Sequence, residues 1–288
     1  MTPVDTVGRE RDSVASTLKT ALTTFVFALF ASTAVVGKAL AAAPEEARAA
    51  LERRDCTAVL LFRPLAERCN AYAQSLLGIC YESSKDVSQD YVEAMKWHRL
   101  AAAQDIEMSQ TSIGVMYAGG LGVAQDYTEA AKWYRKAAVN GDAFGQAFLA
   151  ILHEHGLGLP KDYTEAMNWY RRAADQGNAN GQLGVGTMYL SGQGVQKNET
   201  EASKWFRKAA DHGNAKAQNN RGAMYAMGKG VERDVVQAYV WFELAASNSS
   251  PIETVRAAAS RSRDYLADRM SPTQIAEALK RASEWNSK

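Results

Sequence analysis

Asp126-Tyr127-Thr128-Glu129-Ala130-Ala131-Lys132-Trp133-Tyr134-Arg135-Lys136-Ala137-Ala138-Val139-Asn140-Gly141 returns 36 residues later as Asp162-Tyr163-Thr164-Glu165-Ala166-Met167-Asn168-Trp169-Tyr170-Arg171-Arg172-Ala173-Ala174-Asp175-Gln176-Gly177. Working outward, Trp97, Trp133, Trp169, Trp205 and Trp241 keep that step without a slip, as do Ala94, Ala130, Ala166, Ala202 and Ala238. A constant period over this length means that one folding unit is copied. The chain is therefore an array, built to present surface.

In each copy Asp90, Asp126, Asp162, Asn198 or Asp234 is followed three residues later by Glu93, Glu129, Glu165, Glu201 or Gln237. This predicts a capping box: the first side chain accepts from free backbone N–H groups and the second reaches back to the cap. A helix, B, starts there and carries the Ala, the Trp, a neighbouring ring (Tyr134, Tyr170, Phe206, Phe242; His98 in the first copy) and an Ala pair. Gly141, Gly177 and Gly213 close it, with Cys69 and Asp105 in that column elsewhere. Helix A follows, with Gln74, Gln110, Gln146, Gln182 or Gln218 and then Tyr81, Tyr117, Tyr189 and Tyr225, where His153 fills the irregular slot. Gly120 and Gly122, Gly156 and Gly158, Gly192 and Gly194, and Gly228 and Gly230 end it. These pairs follow a helix and recur, whereas a phosphate cradle follows a strand, so they read as turns. Two helices per unit, tightly joined, make an α-hairpin solenoid.

The string Ala-x-Ala-Gln-x-x-Leu-Gly-x-x-Tyr, then Gly-x-Gly-Val, Asp-Tyr-x-Glu-Ala-x-Lys-Trp-Tyr-Arg-Lys-Ala-Ala and a closing Gly, resembles Sel1-like repeats, relatives of the shorter tetratricopeptide unit. The resemblance covers residues 70–249, five units. It implies an all-α, right-handed superhelix with helix A lining the concave side. It also implies a non-catalytic adaptor that binds a protein or peptide, with no cofactor. Two other roles are known in this family. Some cysteine-rich members are weak β-lactamases or penicillin binders, but those carry a cysteine pair per repeat and this chain does not. An endoplasmic-reticulum adaptor would leave Asn198-Glu199-Thr200 open to glycosylation. Flanking caps are expected at 42–69 and at 250–288, where Ser271-Pro272-Thr273-Gln274 opens a final helix with the stripe Ile275, Leu279, Ala282 and Trp285.

Residues 20–37 carry no charge, and Ala39-Leu40-Ala41 follows with small residues at alternate positions. This reads as a secretory signal cleaved after Ala41, giving an exported, periplasmic or secreted chain without a membrane span. The alternative is an uncleaved inner-membrane anchor, since 18 uncharged residues approach the ~20 needed to cross a bilayer. Net charge is +1 overall. Residues 1–41 contribute Arg9, Arg11, Lys19 and Lys38 against Asp5, Glu10 and Asp12, so the remainder sums to zero and nothing marks a nucleic-acid binder. Of Cys56, Cys69 and Cys80, the outer two lie at comparable distances from a turn near Cys69 and could pair; alternatively Cys80 is a small core residue in a column of Met116, Leu152, Met188 and Met224.

His153-Glu154-His155 is the one local group of metal-ligand residues, but histidines two apart on a helix point in different directions. No nucleophile, histidine and acid stand at a known catalytic spacing. The positions where copies disagree are more informative. One face of helix A holds Tyr72, Leu76 and Ile79, then Met108 and Val115, then Phe144, Phe148, Ile151 and His155, and polar residues such as Asn220 in the last copies. Fixed columns build the hairpin, so these ten residues are the expected partner-binding set. The competing expectation is that the apolar ones fill gaps between helices.

Overall fold

The computed structural model describes residues 62–82, 88–248 and 253–286. The signal, the first part of the N-terminal cap and Cys56 lie outside them. The described residues are helical or in short connections, with no strand among them, and the chain divides into two compact units, 1–161 and 162–288. The first contains α1 (Arg63–Glu67), α2 (Ala71–Glu82), α3 (Tyr91–Ala102), α4 (Glu107–Gly119), α5 (Tyr127–Val139) and α6 (Ala143–His155). The second contains α7 (Tyr163–Asp175), α8 (Ala179–Ser191), α9 (Glu199–Asp211), α10 (Ala215–Met227), α11 (Val235–Ser247), α12 (Glu253–Ala267) and α13 (Pro272–Asn286). Within each unit each helix packs on the next, except that α13 packs back on α11 rather than on α12, so each unit is a run of helix pairs, as the repeat implied.

The predicted capping box forms only by half. Asp126 Oδ1 accepts from the Thr128 and Glu129 N–H groups at 2.8 and 3.1 Å, and Asp90 and Asp162 do the same in their copies. The reciprocal bond is absent because the cap N–H is already used: Asp90 donates to the Tyr81 carbonyl, Asp126 to Tyr117, Asn198 to Tyr189 and Asp234 to Tyr225. The freed glutamates turn along the helix, to Lys96, Lys132 and Lys204 three residues on, and Glu93 also accepts from the Trp97 indole at 3.0 Å. Among the described residues α13 alone closes the box in both directions, through Ser271 and Gln274.

The glycine pairs do two different jobs. Gly120, the first of its pair, takes φ 65° and terminates α4 in the left-handed region that suits glycine. Gly122, the second, is also at positive φ, and a Cβ there would stand 2.7 Å from the Tyr91 backbone, so the turn is pressed against the start of the preceding helix B. Cys69 and Asp105, which replace the closing glycine in two copies, still adopt φ 64° and 59°.

The columns of the two aromatic residues separate. A Cβ on Gly114 would meet the Tyr134 ring at 2.5 Å, and Gly186 and Gly222 stand likewise against Phe206 and Phe242. The residue after the Trp is thus the one clamped on helix A, and Tyr134 and Phe206 are fully buried. Of the Trp column, Trp97 and Trp241 are buried. Trp133, Trp169 and Trp205 are half-buried, each with a basic residue three positions on over its ring: Lys136, Arg172 and Lys208 at 5.3, 4.6 and 3.9 Å from the centroid.

Candidate partner-binding faces

The variable face of helix A is not one surface. In the first unit Leu76, Ile79, Met108, Val115 and Phe148 are buried. Leu76 lies in a cluster with Phe62, Ala66, Leu77 and Trp97, while Ile79 and Met108 meet Ala101 and Ile106. Phe148 stacks at 5.2 Å from the Tyr134 ring. For these five the gap-filling expectation wins, because an apolar side chain beside a neighbouring helix gains more by entering the packing than by facing water. Tyr72, Phe144 and Ile151 are half-buried and His155 is exposed, so these keep an edge in solvent.

In the second unit the same face is open. Asn180, Thr187, Asn220 and Ala223 are half-buried, and Met227 is 56% exposed. A shallow pocket lies here, floored by Leu190, Ala223, Met224 and Met227 with Asn220 at its side. Lys197, Glu199 and Lys229 form its rim. Asn220 alone of the ten expected residues falls in it. The sequence signal for the rest was available: Met227 stands in a column of Ser83, Gly119, His155 and Ser191, and Lys229 stands between glycines where Leu121, Leu157 and Gln193 stand earlier.

The Gln column, noted in the sequence only as a repeat mark, is a stitch between helices. Gln74 Nε2 donates to the Ala66 carbonyl at 3.0 Å, and its Oε1 accepts from Gln104 at 2.9 Å. Gln218 repeats this with the Ala210 carbonyl and Asn248. One buried amide thereby satisfies a helix C-terminal carbonyl behind it and ties down the end of its own helix B ahead.

Two buried polar groups lie where residues leave their columns. His98 Nδ1 sits 3.1 Å from Ser109 Oγ, Ser109 Oγ donates to Ser75 Oγ at 2.9 Å, and His98 Nε2 lies 3.4 Å from Glu82 Oε1. The last pair is in close contact, yet neither carboxyl oxygen of Glu82 has a hydrogen bond. Acid, imidazole and hydroxyl in series look like a nucleophile relay, but all are buried and a substrate has no approach to Ser109. In the second unit Arg221 replaces an aliphatic column of Leu77, Ile113, Leu149 and Val185. Its guanidinium bonds Ser203 Oγ at 2.7 Å and Tyr225 Oη at 3.0 Å and lies over the Tyr225 and Trp241 rings. Burial lowers its pKa, since no carboxylate is hydrogen-bonded to it.

Cys69 is exposed with a free thiol and Cys80 is buried; the expected bridge reaches to Cys56, outside the described residues. His153 is buried and His155 exposed, so the two imidazoles occupy different environments. Among the described residues no group of three His, Cys, Asp or Glu side chains is arranged to hold a metal.

The Sel1 repeat pattern matches residues 71–106, 108–142, 143–178, 179–214 and 215–250. A Sel1 repeat protein of Oxalobacter formigenes, known from its crystal structure, is 27% identical, with a TM-score of 0.68 over 82% of this chain and 94% of that one. A Sel1 repeat protein described as putative, from Klebsiella pneumoniae, is 22% identical, with a TM-score of 0.49 over 73% of this chain and 99% of that one. No curated protein sequence matches the chain. With five consecutive copies spanning well over half its length, the chain belongs to the Sel1 repeat family.

Proposed function

We propose that this protein is a non-catalytic interaction scaffold of the cell envelope that holds a protein or peptide on the helix A face of its repeats. Sel1 repeat proteins are generally protein-interaction scaffolds, which favours the general role. The observation that carries the specific reading is the state of that face: side chains differing from copy to copy reach solvent at Tyr72, Phe144, Ile151, His155 and Asn220, between columns fixed by packing. A standard interface needs ~800 Å² per partner, within reach of several adjacent helices.

Export rests on residues 1–41, with cleavage after Ala41 leaving the repeats free and an uncleaved 20–37 segment holding them at the inner membrane. No helix among the described residues is long and apolar enough to cross a membrane. A Cys56–Cys80 bridge belongs to the same reading and suits an oxidising compartment. In its favour, Cys80 is buried whereas Cys69 is exposed with a free thiol.

The test is site-specific photo-crosslinking in the producing cell, with benzoylphenylalanine at position 144 or 151 and, as control, at Val139, an exposed residue of helix B. One discrete adduct from 144 and 151 and none from 139 is expected. Adducts nowhere, or equally from 139, remove the scaffold reading. Mass spectrometry of the same material should find Ala42 as the first residue, and an intact Met1 in the membrane fraction would put the anchor in place of cleavage.

A further inference from the structure

Resting on the scaffold reading, we propose that the pocket between α8 and α10 is the specificity site, and that it takes an extended peptide segment in which one apolar side chain stands between carboxylates. The floor of Leu190, Ala223 and Met227 is apolar, and Met227 is both exposed and flexible, a side chain that adapts to the shape of what it covers. Nothing in the repeat requires it, since the other copies place Ser, Gly or His there. Asn220, half-buried at the pocket wall, offers an amide donor and acceptor to a peptide backbone.

The rim selects the charge of the occupant. Glu199, the acid of the pocket, is held by Lys197 at 3.0 Å, so its charge is already answered. Lys229 is exposed at the rim and Lys216 is exposed one turn before Asn220 on the same stripe of α10. Neither forms an ion pair with a described residue. Both depart from their columns, Lys216 replacing Tyr72, Met108, Phe144 and Asn180, and Lys229 replacing Leu121, Leu157 and Gln193. One ammonium on the rim, Lys229, and a second outside the pocket one turn before Asn220, Lys216, complement a peptide carrying an acid on each side of an apolar residue, and steer it into register.

The experiment uses fluorescence anisotropy with the purified protein and three labelled nonapeptides: one with a central Leu flanked by Glu, one with that Leu changed to Ser, and one with the Glu changed to Lys. The first is expected to bind at least about tenfold more tightly than the other two, with affinity falling as salt rises. Met227→Ser, and separately the pair Lys216→Glu with Lys229→Glu, should each weaken it by about tenfold or more while the thermal midpoint holds, because these side chains lie in solvent. The proposal is overturned if the three peptides bind alike, if none binds below millimolar concentration, or if the variants bind as wild type does. Adducts from positions 144 and 151 together with peptide failure would sink the pocket and leave the scaffold reading standing; loss of both would sink both.

Discussion

The helix A face of the first unit is largely closed, with only Tyr72, Phe144, Ile151 and His155 left at its edge, and that of the second is open, although the repeat gives both the same register. In the first, Leu76, Ile79, Met108, Val115 and Phe148 have gone into the packing. In the second, polar and small residues at the equivalent places leave Asn180, Thr187, Asn220, Ala223 and Met227 in reach of solvent. Variation between copies therefore does not by itself mark a binding surface. An apolar variant is drawn inward wherever a neighbouring helix can cover it, and a groove stays open where the variants are too polar or too small to close it.

The buried polar groups differ in the same way. The first unit sets Glu82 beside His98 and continues to Ser109 and Ser75, so acid and base face each other. The second buries Arg221 with its hydrogen bonds made to neutral oxygens and its guanidinium over aromatic faces, and Asp211 and Arg207 act on it only electrostatically.

The largest effect should come from the closed face. Phe148→Ala is expected to cost ~3–5 kcal/mol in a denaturant titration, since a fully buried ring against Tyr134 is removed. Met227→Ser should stay within ~0.5 kcal/mol, being a change at an exposed site. Equal losses would erase the closed-and-open distinction.

Next in size is Arg221→Leu, which restores the aliphatic column. Replacing a buried charge by an apolar residue of similar volume is often neutral or stabilising, and a gain of up to about 2 kcal/mol is expected. A loss above about 1 kcal/mol would mean that the hydrogen bonds to Ser203 and Tyr225 outweigh desolvation of the guanidinium.

The smallest effect concerns Asp142, which caps α6 through the Gly145 N–H and accepts from Thr111. Burial raises its pKa above the ordinary carboxylate value, so the folded state holds the proton more firmly than the unfolded one. Stability from this group is therefore full below the unfolded pKa and lost as pH rises through the folded one. Asn occupies the same column as Asn70, Asn178 and Asn214 and keeps the capping oxygen. Asp142→Asn should raise stability by under about 1 kcal/mol at pH 7 and by nothing below about pH 4. A gain independent of pH would point to packing rather than ionisation.

The 36-residue period, the Asp or Asn caps and the closing glycines were enough to place both helices of every repeat and the all-α class, because caps and turns are settled by residues within one or two turns of each other. The tertiary structure alone decided what depends on a neighbouring helix. It put Tyr134 rather than Trp133 in the clamp, and it satisfied the Asp126 N–H with Tyr117 so that Glu129 was released from the capping box. It made Gln74 a stitch, and it sent five of the ten expected contact residues inside. A period states that equivalent residues share an environment; which side of a helix a neighbour will cover is fixed only when the copies pack, since burial is a property of the pair and not of the strand of sequence that enters it.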